Sequence, residues 1–233
     1  MMRTLLRYCL STLALCGATG FATACEVALV LAVDVSGSVD HEEYRIQMQG
    51  LADGLRDGAV SEALVVGEAA VLVLQWTGSS RQRVVVPWQR VTSFDRIEAL
   101  AAKVEATPRV WRNFSTAIGE ALEFGAAQFA AVPDCDRRVI DVSGDGSSNE
   151  GLDPKEVRGL LAAQDITVNA LVIEGAEPQM TEYFWENVIH GPGAFVITAN
   201  SYAEYPARMR RKLLREVTKP ISAGPTDSFA PKL

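Results

Sequence analysis

The feature that most constrains this chain is a set of short, almost uninterrupted apolar runs rich in β-branched residues: Val27 to Val33, Val139 to Val142, Val168 to Ile173 and Ala194 to Ile197. A strand that faces water on one side alternates apolar and polar residues. A strand that is apolar throughout has both faces covered, as in a parallel sheet sandwiched between helices.

A further run, Ala69 to Gln75, is followed by Thr77-Gly78-Ser79-Ser80 and then by Arg83 to Val86. So short a link permits a hairpin but not a crossover, so the second strand is expected to be an antiparallel edge strand ending at Pro87. Between the strands, apolar residues recur at helical spacing. The stripes are Tyr44, Met48, Leu51 and Leu55; Phe94, Ile97, Leu100 and Val104; Ile118, Leu122, Gly125 and Phe129; and Val157, Leu160 and Leu161. Each places one apolar face against a sheet. Asp153 before Pro154 reads as an N-cap followed by proline at the first helical position. Met180, Tyr183 and Phe184 point to a short helix, and Tyr202 to Thr218 to a closing one. The alternation predicts an α/β fold: a doubly wound, mostly parallel open sheet with one antiparallel edge strand and helices on both faces.

With 233 residues, 48% of them hydrophobic, the chain can bury one sizeable core. It begins with Arg3 and Arg7, an apolar stretch from Leu10 through Leu15 to Ala18, and the small triplet Ala22-Thr23-Ala24. These are the parts of a signal peptide over residues 1–24, so an exported protein, periplasmic or secreted, is expected. The apolar stretch is shorter than the roughly 20 residues a spanning helix needs, and no later window approaches that length, so no transmembrane segment is expected. The folded domain is expected over 25–218. A mobile tail over 219–233 is also expected, since Pro220 to Leu233 is rich in proline and poor in apolar residues. Nothing in the sequence fixes an oligomeric state.

Removing residues 1–24 takes away two arginines and no acid, so the balance moves from −7 to −9. An acidic chain without a basic stripe interleaved with aromatics excludes nucleic acid as a partner class. The one basic cluster, Arg208, Arg210, Arg211, Lys212 and Arg215, falls on the closing helix and reads as a solvated face, with contact to an anionic lipid or polymer as the alternative. Cys9 and Cys16 leave with the leader, so the mature chain keeps Cys25 and Cys135, enough for one disulfide in an exported protein. Cys25 has a competing reading as a lipidated first residue, although Ala22-Thr23-Ala24 lacks the bulky aliphatic residue at the start of such a box.

In an open α/β sheet, ligands gather at the carboxyl ends of the strands. There the first strand ends in Asp34-Val35-Ser36-Gly37-Ser38, and Val139 to Val142 leads into Ser143-Gly144-Asp145-Gly146. Asn113-Phe114-Ser115-Thr116 opens the helix of Ile118 and Leu122. Together these loops offer two carboxylates and several hydroxyls, without histidine or cysteine. Hard oxygen donors select a hard divalent cation: magnesium first, with manganese or calcium as alternatives. Only two formal negative charges would leave such an ion electrophilic, with room for an outside oxygen such as a partner's carboxylate.

The Asp-x-Ser-x-Ser at Asp34, Ser36 and Ser38 resembles the metal-ion-dependent adhesion site of von Willebrand factor A domains. Thr116-Ala117-Ile118-Gly119-Glu120-Ala121-Leu122 is similar to that family's Thr-x-x-Gly-x-Ala-Leu helix start, and Asp145-Gly146 to its Thr-Asp-Gly segment. The order of elements resembles the family from about Cys25 to about Thr218. Val139-Ile140-Asp141-Val142-Ser143-Gly144-Asp145-Gly146 is similar to a group of bacterial exported proteins assigned to this superfamily.

The resemblance implies that Ser36, Ser38 and Thr116 offer hydroxyls to one divalent cation, while Asp34 and Asp145 act through water or by orienting the hydroxyls. It implies a protein-binding role, in adhesion or complex assembly, in which the cation recruits a carboxylate from a partner protein and no reaction is catalysed. In the family's sheet order the strands bearing Cys25 and Cys135 are parallel neighbours, which implies a disulfide at the end opposite the metal. The chain departs from the family twice. Gly144 replaces a threonine, and Asn113-Phe114-Ser115 replaces a Gly-Gly approach, leaving Ser115 as an alternative to Thr116.

Blander readings stand beside these. Asp, Ser and Gly are ordinary turn residues, and Ser38 or Asp40 can simply cap the helix of Tyr44. Asp141, inside an apolar strand, reads as a satisfied buried group rather than a catalytic one. His41 and His190 lack recognisable partners for a nucleophile system. The Trp111-Arg112-Asn113-Phe114 loop reads either as binding rim or as helix packing. The enzymatic alternative is a magnesium-dependent phosphatase of the haloacid dehalogenase type, with Asp34 as nucleophile. Ser36 stands where that chemistry needs a second carboxylate as general acid and base.

Overall fold

A computed structural model of the protein describes residues 25–175 and 179–218. The expected signal peptide and tail lie outside the described residues. The elements run β1 (Cys25–Asp34), α1 (His41–Arg56), α2 (Gly58–Val66), β2 (Ala70–Trp76), β3 (Gln82–Arg90), α3 (Phe94–Glu105) and α4 (Ile118–Gln128). Then come β4 (Cys135–Gly144), α5 (Arg158–Ala163), β5 (Ile166–Ile173), α6 (Met180–Asn187), β6 (Val196–Ala199) and α7 (Tyr205–Val217).

The strands form one sheet in the order β3-β2-β1-β4-β5-β6, parallel throughout except for β3 against β2. The chain winds one way from β1 to β2 and the other way from β4 outward, so the strand order reverses between β1 and β4. In such sheets the crevice outside the carboxyl ends of those two strands is the place for a ligand. It lies where Asp34 and Asp145 emerge.

The all-apolar strands behave as their composition requires. Leu29, Leu31 and Val33 of β1 face a core built with α1, α2, α3 and α7, while Ala28, Val30 and Ala32 face one built with α4, α5 and α6. Each fully buried aliphatic side chain contributes about 1.5 to 3 kcal/mol relative to exposure. Asp40 caps α1, its carboxylate accepting from Glu43 N at 2.8 Å while Glu43 reaches back to Asp40 N. The capping role thus falls to Asp40 and leaves Ser38 to the loop.

The edge strand does not end at Pro87 but runs on to Arg90. The register shifts between Val71 and Val73 and again before Leu74, so β3 carries extra residues against β2. A bulged edge strand tolerates a residue without an N–H. Asp153 caps a single 3-10 turn (Pro154–Val157) that leads into α5, rather than an α-helix directly.

The closing helix is not a uniformly solvated basic face. Lys212 is fully buried and forms ion pairs with Asp141 of β4 and with Glu216, whose Oε1 lies 2.6 Å from Nζ. Asn169 of β5 donates to the same Glu216 oxygen at 3.1 Å. Lys212 shares the inward side of α7 with Met209 and Leu213, and an ammonium there is retained only with carboxylate partners. Asp141 is buried but is not the hydrogen-bonded group expected: it is ion-paired with Lys212, and among the described residues neither of its oxygens has a hydrogen-bond partner. Arg208 pairs with Glu204 and Arg210 with Asp57 at the surface.

Cys25 and Cys135 stand opposite one another in register at the starts of β1 and β4 and form a disulfide, at the end of the sheet away from Asp34. Among the described residues no helix is long and apolar enough to cross a membrane.

Candidate functional site

Beyond β1 the chain turns on its own side chain: Asp34 Oδ1 accepts from Ser36 N at 2.7 Å, and Val39 N donates to Ser36 O at 3.2 Å. Val35 N is tied to Trp76 O of β2 at 2.9 Å. Arg109 clamps the turn from outside the strands. Its guanidinium donates to the carbonyls of Val35 (2.9 Å), Ser36 (2.8 Å) and Val39 (2.7 Å). A loop that would otherwise leave those carbonyls to water is held in one conformation.

The second loop docks against the first. Gly37 N donates to Phe114 O at 2.8 Å, and a Cβ on Gly37 would lie 3.3 Å from that oxygen, so glycine permits the close approach. Thr116 is buried. Its N donates to Asn149 Oδ1 at 2.9 Å, and its carbonyl accepts from Asn149 N at 2.9 Å. Ser148 Oγ accepts from Ile118 N, giving the first turn of α4 the side-chain acceptor that Ala117 lacks. Ser115 is exposed and its hydroxyl engages Glu150, whereas Thr116 is buried.

The third loop closes the group. Ser38 Oγ donates to Asp145 Oδ1 at 2.6 Å, and Tyr202 Oη donates to Asp145 Oδ2 at 2.8 Å. Ser36 Oγ and Ser38 Oγ lie 3.1 Å apart. A Cβ on Gly146 would be 3.7 Å from Thr116 Oγ1, which brings that hydroxyl alongside the Asp145 segment. Four residues named from sequence, Asp34, Ser36, Ser38 and Asp145, are thus joined by hydrogen bonds, with Thr116 beside them.

The electrostatics are unbalanced. Asp34 is 0% exposed and its Oδ2 has no hydrogen-bond partner. Burial first, and then the nearby Asp145 carboxylate, push its pKa up to about 7. Burial also pushes the Tyr202 hydroxyl far up, followed by the Asp145 charge, so Tyr202 remains a donor. A Cβ on Gly144 would stand 3.1 Å from Asp34 Oδ2, so the departure from threonine clears space beside that oxygen. Among the described residues no group of three or more His, Cys, Asp or Glu side chains is placed to hold a metal. The donor set here is two carboxylates and hydroxyls. A buried, unpartnered carboxylate oxygen next to a second carboxylate fits a hard cation, because a positive charge is what the group lacks.

Sequence reasoning missed Arg109, Tyr202 and Asn149. Arg109 resembles any surface arginine until the loop carbonyls gather around it. Tyr202 reads as the start of a helix, and Asn149 belongs to no motif in the sequence. Their proximity to Asp34, Asp145 and Thr116 is made by the winding of the chain.

Several solved structures share the fold at low identity. The von Willebrand factor type A protein from Catenulispora acidiphila aligns with a TM-score of 0.58 and 19% identity, over 84% of this chain and 43% of that one. Proximal thread matrix protein 1 from the mussel byssus, in a structure described as having a zinc-occupied MIDAS motif, aligns with a TM-score of 0.61 and 20% identity, over 83% and 48%. The pilus adhesin SpaC from Lactobacillus rhamnosus GG aligns with a TM-score of 0.61 and 14% identity, over 82% and 30%. The chain therefore spans less than half the length of each. No curated protein matches the sequence. The fold is that of the von Willebrand factor A domain, and with its family model matching residues 24–221, the chain belongs to the family described as Protein of unknown function (DUF1194).

Proposed function

We propose that this protein is an exported, divalent-cation-dependent protein-binding module, serving adhesion or complex assembly rather than catalysis. The observation that carries the reading is the linked group of Asp34, Ser36, Ser38 and Asp145 with a buried Asp34 oxygen lacking any partner. Ser36, Ser38 and Thr116 would hold the cation through hydroxyl oxygens. Asp145 orients Ser38 by accepting a hydrogen bond from its hydroxyl, which leaves the serine's lone pairs free to face a cation. When bound, the cation supplies an electrophilic position for a carboxylate on a partner protein. Magnesium suits the donors, as do manganese and calcium. The zinc-occupied MIDAS of the mussel protein and the pilus adhesin among the fold relatives are in keeping with this use of the fold.

The haloacid dehalogenase-type alternative needs a general acid and base where Ser36 stands, and Ser36 is held against Ser38 as a hydroxyl pair. The disulfide suits an oxidising compartment, periplasmic or extracellular. The test is calorimetric titration of magnesium and manganese into wild type and Asp34→Ala, with circular dichroism to verify the fold. Loss of metal binding with the fold intact is expected. Unchanged binding in the variant, or magnesium-dependent hydrolysis of an aryl phosphate lost in Asp34→Asn, would overturn the reading.

A further inference from the structure

Positive charge is gathered on one side of the site. Arg81 and Arg83 belong to the β2–β3 hairpin, and Arg112 to the loop that precedes Thr116. Among the described residues none of the three forms an ion pair. Glu150 feels Arg81, but its carboxylate is already engaged by the hydroxyls of Ser79 and Ser115. In a chain of net charge −7, three guanidiniums gathered beside the site, with Glu150 acting on Arg81 alone, are a local exception.

The arginines are also held in place. The Arg81 guanidinium lies 3.8 Å from the ring centre of Phe114, and that of Arg83 lies 5.4 Å from Trp111. Phe114 is 38% exposed, and its carbonyl accepts from Gly37, inside the Asp34 to Ser38 loop. The stacked pair therefore sits directly against that loop. Arg109 is different: both of its Nη atoms donate to the loop carbonyls and its Nε is buried, while Arg112 and Arg83 are exposed. On the other side of the site stand Glu43, Asn200 and Ser201, so the field runs from positive at the hairpin to neutral or negative at α1.

We propose that Arg81, Arg83 and Arg112 recognise a second acidic residue of the partner, which is therefore a protein segment carrying paired carboxylates, one for the cation and one for the arginine rim. This rests on the metal-dependent reading above. A guanidinium stacked on a ring keeps its N–H edge free, and that edge matches a carboxylate bidentately. The same stacking covers a face of Phe114 and Trp111 that a sugar ring would need, which favours a peptide over an acidic polysaccharide.

The test is selection of a displayed library of random linear peptides on the immobilised protein in magnesium, followed by binding measurements on the enriched peptides. Wild type is expected to enrich peptides with two acidic residues. The variant R81Q/R83Q/R112Q is expected to bind them about tenfold more weakly, with a flatter dependence on ionic strength, because rim charges act through steering and screening. The exposed single variant Arg112→Glu reads the same quantity should the triple variant not fold. Equal affinity and salt dependence in the variants, enrichment of peptides with one carboxylate or none, or binding of alginate without enrichment of acidic peptides overturns the proposal. Insensitivity of wild-type binding to chelator is a separate outcome. It removes the metal reading while the arginine comparison still reports on the rim.

Discussion

Ser38 Oγ donates to Asp145 Oδ1 across 2.6 Å, joining loops separated by 107 residues in the chain. The bond fixes the direction of the Ser38 hydroxyl and consumes one oxygen of Asp145, while Tyr202 takes the other. On the proposed metal-binding reading, Asp145 orients a ligand rather than being one.

From that arrangement, Ser38→Ala removes both a donor oxygen and the group that Asp145 orients. Tyr202→Phe removes only a neighbour of Asp145. Loss of an outer hydrogen-bond partner typically costs about 10-fold to 100-fold in metal affinity. Tyr202→Phe is expected in that range and Ser38→Ala beyond it, as read by manganese titration. A larger loss in Tyr202→Phe would contradict the assigned roles.

Asp34 holds a buried oxygen without a partner, and its raised pKa marks the cost of its charge. Asp34→Asn relieves that cost without metal. The metal-free variant is expected to melt above metal-free wild type at pH 8, and magnesium should raise the melting temperature of wild type only. Thermal melting with and without chelator measures both. A variant that melts below metal-free wild type would show that the carboxylate is compensated by other means.

Lys212 is the one cation paired with two buried carboxylates, and Lys212→Met leaves them without it, a loss of about 3 to 5 kcal/mol by analogy with other broken buried pairs. Burial first, and then Asp141, push Glu216 up to about 8. A carboxyl raised on folding favours the native state below its unfolded pKa and loses that contribution as pH rises through the folded value. Wild-type stability should therefore fall as pH rises toward about 8 and level off above it, and Glu216→Gln should flatten that fall. Urea melts across pH 6 to 10 would reveal it, and an unchanged slope in Glu216→Gln would refute it.

The Cys25–Cys135 disulfide closes a sequence separation of 110 residues. In chain-entropy models a loop of that size is worth about 4 to 5 kcal/mol. The double alanine variant is expected to lose stability of that order. Thiol titration of the unreduced domain over residues 25–218 should find neither Cys25 nor Cys135 reactive, and two reactive thiols would remove the bond.

What the sequence determined by itself was the layer architecture, because runs such as Val27 to Val33 and Val168 to Ile173 have no polar face to offer water. It also determined which loops carry oxygen donors, since Asp34, Ser36, Ser38, Thr116 and Asp145 stand at strand and helix ends wherever the strands fall. It did not reveal α2, because Asp57-Gly58 reads as a turn where Asp57 in fact caps a second helix. Nor did it reveal the burial of Lys212, whose neighbours are basic and whose partner Asp141 lies on β4, far away in the chain. Only the tertiary structure decided that Arg109 clamps the first loop, that Tyr202 rather than water meets Asp145, and that Thr116 and not Ser115 faces inward. The physical reason is the same in each case. Periodicity and capping are properties of neighbours in sequence, whereas a carbonyl, a hydroxyl and a carboxylate become partners only when the winding of the sheet brings their loops to one edge.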